Sequence, residues 1–337
     1  MASDSLFGGS TDLTQVVSSS SLDLINAFLT DTVGGSAITG VIGDSTIVIG
    51  SGSDGEKQGA LLPSGSAISG SIDDGVLKLD IQVPAGSGFV FEGKDHASAD
   101  TVGAFLNSII DAYLPPDDPA TPQVLRDGLT NAVNDLVNSM KALGVTDIVV
   151  RMIDFVSGNN LPSLSALGPH DVLLDVSATA GGNEAFFINL HGLGVDDTLV
   201  LTGIENVMLA GQGRVRVDGD TPVVITNDGG NQDITGGGGN DTLIGGGGND
   251  TLTGGAGDDT FGFRALGHYK IEDFAKGHDH IAFKVGGIDN VFELLPYLTG
   301  VTQNTEGVTL DFGPNFSLTL VGISAADITA DMIKFTF

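Results

Sequence analysis

Three aspartates recur at a fixed spacing in a glycine-rich stretch, and they are the side chains best suited to bind a metal ion. Asp241, Asp250 and Asp259 lie nine residues apart, and each follows a run of glycines that ends in asparagine or aspartate. Glycine tolerates the positive φ angles of a tight turn, and it lets backbone carbonyl oxygens converge on one point. Carboxylate and carbonyl oxygens are the ligands that Ca²⁺ prefers, whereas Mg²⁺ requires a smaller and stricter octahedron. The pattern therefore predicts calcium binding.

An apolar residue also recurs every nine positions, and this second register indicates the element that holds the aspartates. The apolar positions are Ile225, Ile234, Leu243, Leu252 and Phe261. The residues around each of them suit a short strand whose middle side chain points inward, and the glycine-rich residues between them suit turns of half a coil. A fixed short period is typical of a solenoid. A flexible glycine-rich linker would not keep such a register.

The repeats resemble those of the repeats-in-toxin (RTX) family, whose consensus is G-G-x-G-x-D-x-U-x. The best copies are GGGGNDTLI at 236–244, GGGGNDTLT at 245–253 and GGAGDDTFG at 254–262. The copy that begins at Asn227 lacks the opening glycines and has Gln232 in place of the aspartate. The resemblance implies a parallel β-roll whose turns bind Ca²⁺, and we expect the divergent turn to bind an ion incompletely.

A second motif follows the repeats and adds two candidate ligands. Residues 273–281, DFAKGHDHI, match the pattern D-F-x-x-G-x-D-x-I that often follows the last RTX coil. Its two aspartates are either secondary calcium ligands or ordinary turn residues. The full set of candidate ligands is Asp233, Gly237, Gly239, Asn240, Asp241, Gly246, Gly248, Asn249, Asp250, Gly255, Gly257, Asp258, Asp259, Asp273 and Asp279.

The composition restricts the classes of partner. The chain of 337 residues contains 13 Lys and Arg against 43 Asp and Glu, a formal net charge of −30. Such a charge argues against binding DNA, RNA or an anionic membrane surface electrostatically. With 41% hydrophobic residues the chain is not a disordered acidic tail, and its 51 glycines indicate a β-rich, turn-rich fold. It contains no cysteine, which excludes disulfides and thiol chemistry.

The expected route of export follows from the resemblance. The sequence contains no run of about 18 apolar residues, so it predicts no membrane span. The first residues lack the basic and apolar regions of a Sec signal peptide. The RTX resemblance implies export by type I secretion machinery with an uncleaved C-terminal signal. Extracellular Ca²⁺ is high enough to fill weak sites, and metal binding is coupled to folding. We therefore expect a bacterial protein that is secreted or held at the cell surface and whose repeats fold outside the cell.

The sequence pattern predicts a mainly β protein in four parts, with a β-rich domain that contains a helical hairpin ahead of a parallel β-roll and a β cap. We expect the solenoid to begin upstream of the glycine-rich motif and to share one core with the preceding domain. The predicted parts are an N-terminal segment at 1–35, a β-rich domain at 36–196 with helices near 101–114 and 122–143, a β-solenoid at 197–265 with RTX repeats at 227–262, and a C-terminal cap and secretion signal at 266–337.

Two periodicities support the β-rich domain and its hairpin. Apolar and polar residues alternate from Val76 to Val83, which indicates a half-buried strand, and residues 88–92 are its expected pairing partner. Further along, apolar residues recur at intervals of three and four. This spacing indicates one helix capped by Asp100 and a second whose apolar face ends at Leu143. We expect these helices to cover one side of a sheet.

Catalytic and phosphate-binding motifs that would indicate an enzyme are absent from the sequence. It contains no G-x-S-x-G, no H-E-x-x-H and no P-loop. We therefore predict a non-enzymatic calcium-binding protein with a structural role at the cell surface or in the extracellular matrix, assembling into a homo-oligomer or polymer when calcium binds. The alternatives are an enzyme that acts on an extracellular polysaccharide through unrecognised acidic residues, and an adhesin for a glycan or host surface. The absence of tryptophan weakens the adhesin alternative, because sugars stack on aromatic rings.

Overall fold

In the residues that it describes, the computed structural model has 23 β-strands in two large sheets, three α-helices and short 3₁₀ turns. The predicted N-terminal segment, 1–35, lies outside the described residues. The residues described are 37–42, 45–51, 56–61, 68–73, 77–84, 87–114, 123–157, 171–178, 183–190, 193, 196–285 and 288–336.

The strands are divided between two sheets that enclose a common core. The first sheet contains, in spatial order, β1 (Ala37–Ile42), β2 (Ser45–Ser51), β3 (Glu56–Leu61), β6 (Ser87–Ala97), β7 (Ile148–Ser157), β9 (Glu184–Asn189), β11 (Asn206–Ala210), β13 (Val224–Asn227), β15 (Thr242–Gly245), β17 (Thr260–Phe263), β19 (His280–Phe283) and β23 (Ile333–Lys334). The second contains β20 (Gly300–Gln303), β21 (Gly307–Asp311), β22 (Ser317–Val321), β18 (Gly267–Ile271), β16 (Gly248–Gly255), β14 (Gln232–Gly237), β12 (Gly213–Val217), β10 (Thr198–Thr202), β8 (Asp171–Ala178), β5 (Leu77–Val83) and β4 (Ile68–Asp73).

The repeat region is a parallel β-roll, as the sequence predicts. The chain alternates between the sheets, so each strand pairs with the next strand but one: Ile225 aligns with Leu243 and then Phe261 in the first sheet, and Ile234 aligns with Leu252 in the second. One coil therefore takes 18 residues, two nine-residue repeats. All five of these side chains are 0% exposed. The nine-residue apolar register is thus the core of the roll.

Parallel coiling begins well upstream of the glycine-rich motif. Strand β10 pairs in parallel with β8, and β11 pairs in parallel with β9. One continuous core of buried side chains runs from Leu77 to Met332. Strand pairing is also continuous across residues 196/197 and 265/266. The four-part division of the chain therefore stays a prediction about folding units.

The two main helices, α1 (Ala99–Tyr113) and α2 (Gln123–Ala142), pack on the outer face of the first sheet. Their buried side chains, such as Val102 and Val133, form a second core with Met152, Phe187 and Met208 of the sheet. The short helix α3 (Val291–Leu294) lies in the C-terminal region. No helix in the described residues combines the length and the apolar character needed to cross a membrane.

Three details of the expected β-rich domain are wrong. Strands β5 and β6 do not pair: β5 pairs with β4 and β8, and β6 with β3 and β7, because both point apolar side chains into the core from opposite sheets. Helix α1 is capped by Ser98, whose Oγ accepts from the backbone N of Thr101 at 3.2 Å, and not by Asp100. Leu143 follows the end of α2 and is 78% exposed, so it lies outside the helix packing.

Candidate metal centre

The turns that carry the candidate ligands stack in two columns, one along each side of the roll. Turns that lead from the second sheet to the first form the Asp241 column, which comprises residues 218–223, 236–241, 254–259 and 272–279. Turns that lead from the first sheet to the second form the Asp250 column, which comprises residues 210–213, 227–232, 245–250 and 263–268. Repeats that alternate in sequence therefore place their aspartates on opposite sides.

Three aspartates of the Asp241 column each bind the backbone of the turn before them. Asp241 Oδ1 accepts a hydrogen bond from the backbone N of Val223 at 2.9 Å. Asp259 Oδ1 accepts from the backbone N of Asp241 at 2.8 Å, and Asp279 Oδ1 accepts from the backbone N of Asp259 at 3.0 Å. One carboxylate oxygen per turn thus belongs to the scaffold, which fixes where the second oxygen of the same carboxylate lies.

The second oxygens of two aspartates are buried without a hydrogen-bond donor. Asp250 Oδ1 accepts a hydrogen bond from the backbone N of Gln232 at 3.0 Å, the same type of bond that Asp241 and Asp259 make in their column. Asp241 Oδ2 and Asp250 Oδ2 have no hydrogen-bond partner among the described residues. A buried acceptor without a partner is destabilising, and more so when it carries charge. These atoms therefore fit a role as ligands of a cation.

The electrostatics of the columns favour the same conclusion. Burial raises the pKa of Asp241 and of Asp259 from 3.8 to about 6. Burial raises the pKa of Asp250 further, to about 8, and the neighbouring Asp228 adds to the rise. Without a nearby positive charge these carboxyl groups resist ionisation, and a bound divalent cation reverses that preference.

Backbone carbonyl oxygens crowd against the glycines of the next turn. A Cβ added to Gly255, whose φ is +102°, would lie 1.9 Å from Gly237 O. A Cβ on Gly257 would lie 2.2 Å from Gly239 O. Only glycine allows this approach and this backbone conformation. The spacing of glycines in the Asp241 column thus keeps the carbonyls of successive turns close together, where they can supply neutral oxygen ligands.

The Asp250 column shows the same crowding at its candidate glycines. A Cβ on Gly246 would lie 2.1 Å from Asn227 O, and a Cβ on Gly248 would lie 2.2 Å from Gly230 O. The structure therefore brings Gly246 and Gly248, like Gly255 and Gly257, against carbonyl oxygens of the preceding turn.

The opening glycines of two copies, Gly236 and Gly254, are candidate site residues that the predicted set of ligands does not include. A Cβ on Gly236 would lie 2.4 Å from Asp241 Oδ2, and a Cβ on Gly254 would lie 2.2 Å from Asp259 Oδ2. These glycines leave the space that the carboxylate occupies within its own turn. The available signal was the glycine that opens each of the three best copies.

The asparagines and the aspartate that precede the three candidate metal-binding aspartates take part in hydrogen bonds between turns. Asn240 Oδ1 accepts from the backbone N of Asp258 at 3.0 Å, and the backbone N of Asn249 donates to Asn231 Oδ1 at 2.8 Å. Asp258 Oδ1 lies 2.9 Å from Nδ1 of His278. All are exposed at the turn tips. Their side chains therefore stack the columns.

The two aspartates of the post-repeat motif both lie in the Asp241 column. Asp273 accepts from the backbone N of Gly254 at 2.9 Å and of Gly255 at 2.8 Å. Asp279 is buried, and its Oδ2 accepts from the backbone N of Ala275 at 2.7 Å. Both oxygens of each carboxylate thus bind backbone N–H groups, and these two residues close the end of the column.

The structure does not bring Asp233 to a turn. Its side chain is exposed on β14, next in sequence to the inward-facing Ile234. Within the described parts of the chain, no three His, Asp or Glu side chains cluster where they could hold a metal ion. The candidate donors in these turns are aspartate carboxylates and backbone carbonyls, which suit Ca²⁺ and not a transition metal.

The comparison with known families identifies these turns. Residues 226–261 match the family model described as RTX calcium-binding nonapeptide repeat, in four copies. The match thus includes the divergent copy at Asn227 and ends at Phe261. No curated protein matches the chain. The predictions of RTX repeats and of Ca²⁺ as their ligand are confirmed.

Proposed function

We propose that this chain, whose residues 226–261 are RTX calcium-binding repeats, is a secreted protein that calcium folds and that has a structural role at the cell surface or in the extracellular matrix. The observation that carries the proposal is the pair of buried oxygens Asp241 Oδ2 and Asp250 Oδ2, which accept no hydrogen bond from any part of the chain that the structure describes. The same carboxylates hold adjacent coils together through their other oxygens. Binding of Ca²⁺ and stacking of the coils are therefore one event.

Export by type I secretion machinery fits this coupling. With a net charge of −30 the compact state repels itself until cations bind. At low cytosolic Ca²⁺ the calcium-binding coils stay unfolded and able to pass through a secretion channel, and they fold where Ca²⁺ is abundant. The C-terminal region at 266–337 then serves as the cap of the roll and as the secretion signal.

Self-assembly is supported by the ends of the two sheets. Strand β20, GVTQ, is the last described strand at one end of the second sheet, and β1, AITGVI, is the last at one end of the first. Neither sequence contains a charged residue, although edge strands are commonly protected from pairing by charge or proline. Near β20 the side chains of Phe292, Tyr297 and Val301 are 85%, 57% and 49% exposed. This end of the roll suits docking against a second copy.

The test is the particle size of the full chain across a Ca²⁺ titration, measured by light scattering and reversed with EGTA. We expect calcium to produce large particles, and we expect Val301→Lys to abolish them without changing the circular dichroism of the calcium-bound protein. Leu143→Lys is the matched control, because it charges an exposed apolar residue that follows α2 and belongs to no strand. A wild-type protein that stays monomeric at millimolar Ca²⁺ would contradict self-assembly and leave the calcium-binding role intact.

A further inference from the structure

One turn of the Asp250 column differs chemically from the turns around it. At positions where the next coil has Gly245, Gly246 and Asp250, the turn at 227–232 has Asn227, Asp228 and Gln232. All three substituted side chains are buried, with exposures of 2%, 6% and 2%. A turn that had merely lost its metal site would not be expected to bury three polar side chains without a purpose, because such burial is destabilising unless each group is hydrogen-bonded.

The amide of Gln232 occupies the middle of this turn and bonds on both sides. Its Nε2 donates to the carbonyl oxygen of Gly211 at 2.6 Å and to Asp228 Oδ1 at 2.9 Å. Its Oε1 accepts from Asn227 Nδ2 at 2.7 Å. The NH₂ group therefore sits between a backbone carbonyl of the preceding turn and a carboxylate oxygen, which are the two kinds of oxygen that ligate Ca²⁺.

The carboxylate of Asp228 is satisfied by the protein alone. Its Oδ1 accepts from the backbone N of Gly230 at 2.8 Å as well as from Gln232, and its Oδ2 accepts from the backbone N of Gly211 at 2.9 Å. This contrasts with Asp250 Oδ2, one coil further on, which has no partner among the described residues. The residues of the 227–232 turn thus do not fit a calcium ion. N–H groups of the protein already donate hydrogen bonds to the carboxylate oxygens that an ion would need.

We propose that Gln232 replaces a calcium ion with its own side-chain amide, so that this coil closes without calcium and acts as the template on which the calcium-dependent coils fold. The contacts to the next turn support the template role. The backbone N of Gln232 donates to Asp250 Oδ1 at 3.0 Å, and Asn227 Oδ1 accepts from the backbone N of Gly246 at 2.9 Å. A preformed turn therefore presents a donor and an acceptor in the positions that the first calcium-binding turn of this column needs.

The charge of the residue at 232 decides between an amide-closed and an ion-closed turn. An aspartate there would place a second buried carboxylate beside Asp228, and two adjacent carboxylates require a cation to stay ionised together. The neutral amide avoids that repulsion and supplies two N–H donors in its place. Gln232 is thus a residue that determines which turns of the roll take up calcium.

The first test needs no substitution. Hydrogen exchange of the wild-type full chain, read by mass spectrometry of peptides, is compared with and without Ca²⁺. Without calcium, we expect the amides of 211–232 to exchange at least about tenfold more slowly than those of 236–259, because local openings of the two segments differ in free energy. Equal exchange in the two segments without calcium would overturn the template role.

The second test changes the chemistry of the turn. We expect Gln232→Asp to bind one more Ca²⁺ per chain than wild type by isothermal titration calorimetry, and to lose the calcium-free protection of 211–232 until calcium is added. Asn231→Asp is the matched control: it adds the same charge at the adjacent exposed residue and keeps the Oδ1 acceptor for Asn249. An unchanged ion count together with unchanged calcium-free protection in Gln232→Asp would refute the proposal.

Discussion

The backbone N–H of Asp241 donates a 2.8 Å hydrogen bond to the carboxylate of Asp259, which lies 18 residues further along the chain and one coil above it. The residue that presents a candidate metal-binding carboxylate in one turn is therefore held in place by the corresponding carboxylate of the next. Loss of one carboxylate displaces its neighbour as well. Calcium sites in the Asp241 column are thus expected to be filled cooperatively.

Removal of one aspartate carboxylate from the Asp241 column should weaken calcium binding at its own turn and at the neighbouring turn. For Asp259→Asn we expect the Ca²⁺ concentration at the folding midpoint to rise at least about tenfold, since even residues that only orient ligands change metal affinity by that factor. Circular dichroism across a Ca²⁺ titration measures the midpoint. Asp233→Asn is the control, because that carboxylate is exposed on β14 away from the turns. Equal midpoints for the two variants would contradict the assignment of ligands.

The stability of the calcium-free protein should fall as pH rises. Burial raises the pKa of Asp241 and Asp259 to about 6, with Asp279 and Asp273 adding to the rise at Asp259, and that of Asp250 to about 8. The ordinary value is 3.8. Between pH 3.8 and about 8 the folded state therefore binds more protons than the unfolded state, and the free energy of unfolding decreases as the pH rises through this range.

Calcium should reverse that dependence, because it binds the ionised carboxylates and competes with protons. We expect the urea midpoint of decalcified protein to be higher at pH 5 than at pH 7.5, and the Ca²⁺ affinity to be lower at pH 5.5 than at pH 7.5. Urea unfolding and calcium titration at the stated pH values provide both readings. A calcium-free stability that increases over this pH range would show that these carboxyl groups are not buried.

Close contact between turns should make Gly255 far less tolerant of substitution than a glycine of similar φ in open space. Gly255→Ala places a Cβ 1.9 Å from Gly237 O, whereas the equivalent atom at Gly277, with φ +85°, meets nothing within 4 Å. We expect Gly277→Ala to cost about 1–2 kcal/mol of stability from backbone strain alone. Gly255→Ala should cost more and should also reduce the number of bound calcium ions. Urea unfolding and calorimetry in Ca²⁺ would show whether the two variants differ.

An ionic contact ties the helical hairpin to the repeats. Asp135 Oδ2 of α2 accepts from Arg264 Nη1 at 2.6 Å and from Lys284 Nζ at 2.5 Å. The side chain of Arg264 is 7% exposed, whereas that of Lys284 is 42% exposed. We expect Asp135→Asn to lower the free energy of unfolding by about 1–3 kcal/mol, since it leaves a buried guanidinium less well paired.

The exposed partner provides the control for that contact. Lys284→Met should cost no more than about 1 kcal/mol, because exposed ion pairs contribute little. Urea unfolding in saturating Ca²⁺ compares the variants. A larger loss from Lys284→Met than from Asp135→Asn would mean that the buried pair with Arg264 is not what joins the hairpin to the roll.

The roll was predictable because its sequence repeats. Each coil buries the same apolar position, and Ile234 and Leu252 are fully buried where the nine-residue register places them. The upstream strands lack such a repeat. Alternation of apolar and polar residues predicts which face of a strand is buried, but it does not predict which strand pairs with it. Both β5 and β6 are apolar on their inner faces, so the sequence favoured pairing them, whereas they lie in opposite sheets.

The site was predictable at the level of the repeat and not at the level of individual contacts. The aspartates and glycines of the three best copies lie in the two columns, while Asp233 points to solvent. One oxygen of each carboxylate accepts a hydrogen bond from a backbone N–H that lies 18 positions away in the sequence, as Asp250 Oδ1 does from Gln232. That information comes from the stacking of coils, which a linear pattern does not contain.

The most direct test of the account is circular dichroism of the full chain as Ca²⁺ is added to decalcified protein at pH 7.5, beside a variant with Asp241, Asp250 and Asp259 all changed to Asn. We expect a gain of β signal in the wild type that EGTA reverses, and little or no gain in the variant at the same Ca²⁺ concentrations. A wild-type spectrum that is already fully β without calcium, or a variant that responds as the wild type does, would contradict the claim that these carboxylates couple calcium to folding.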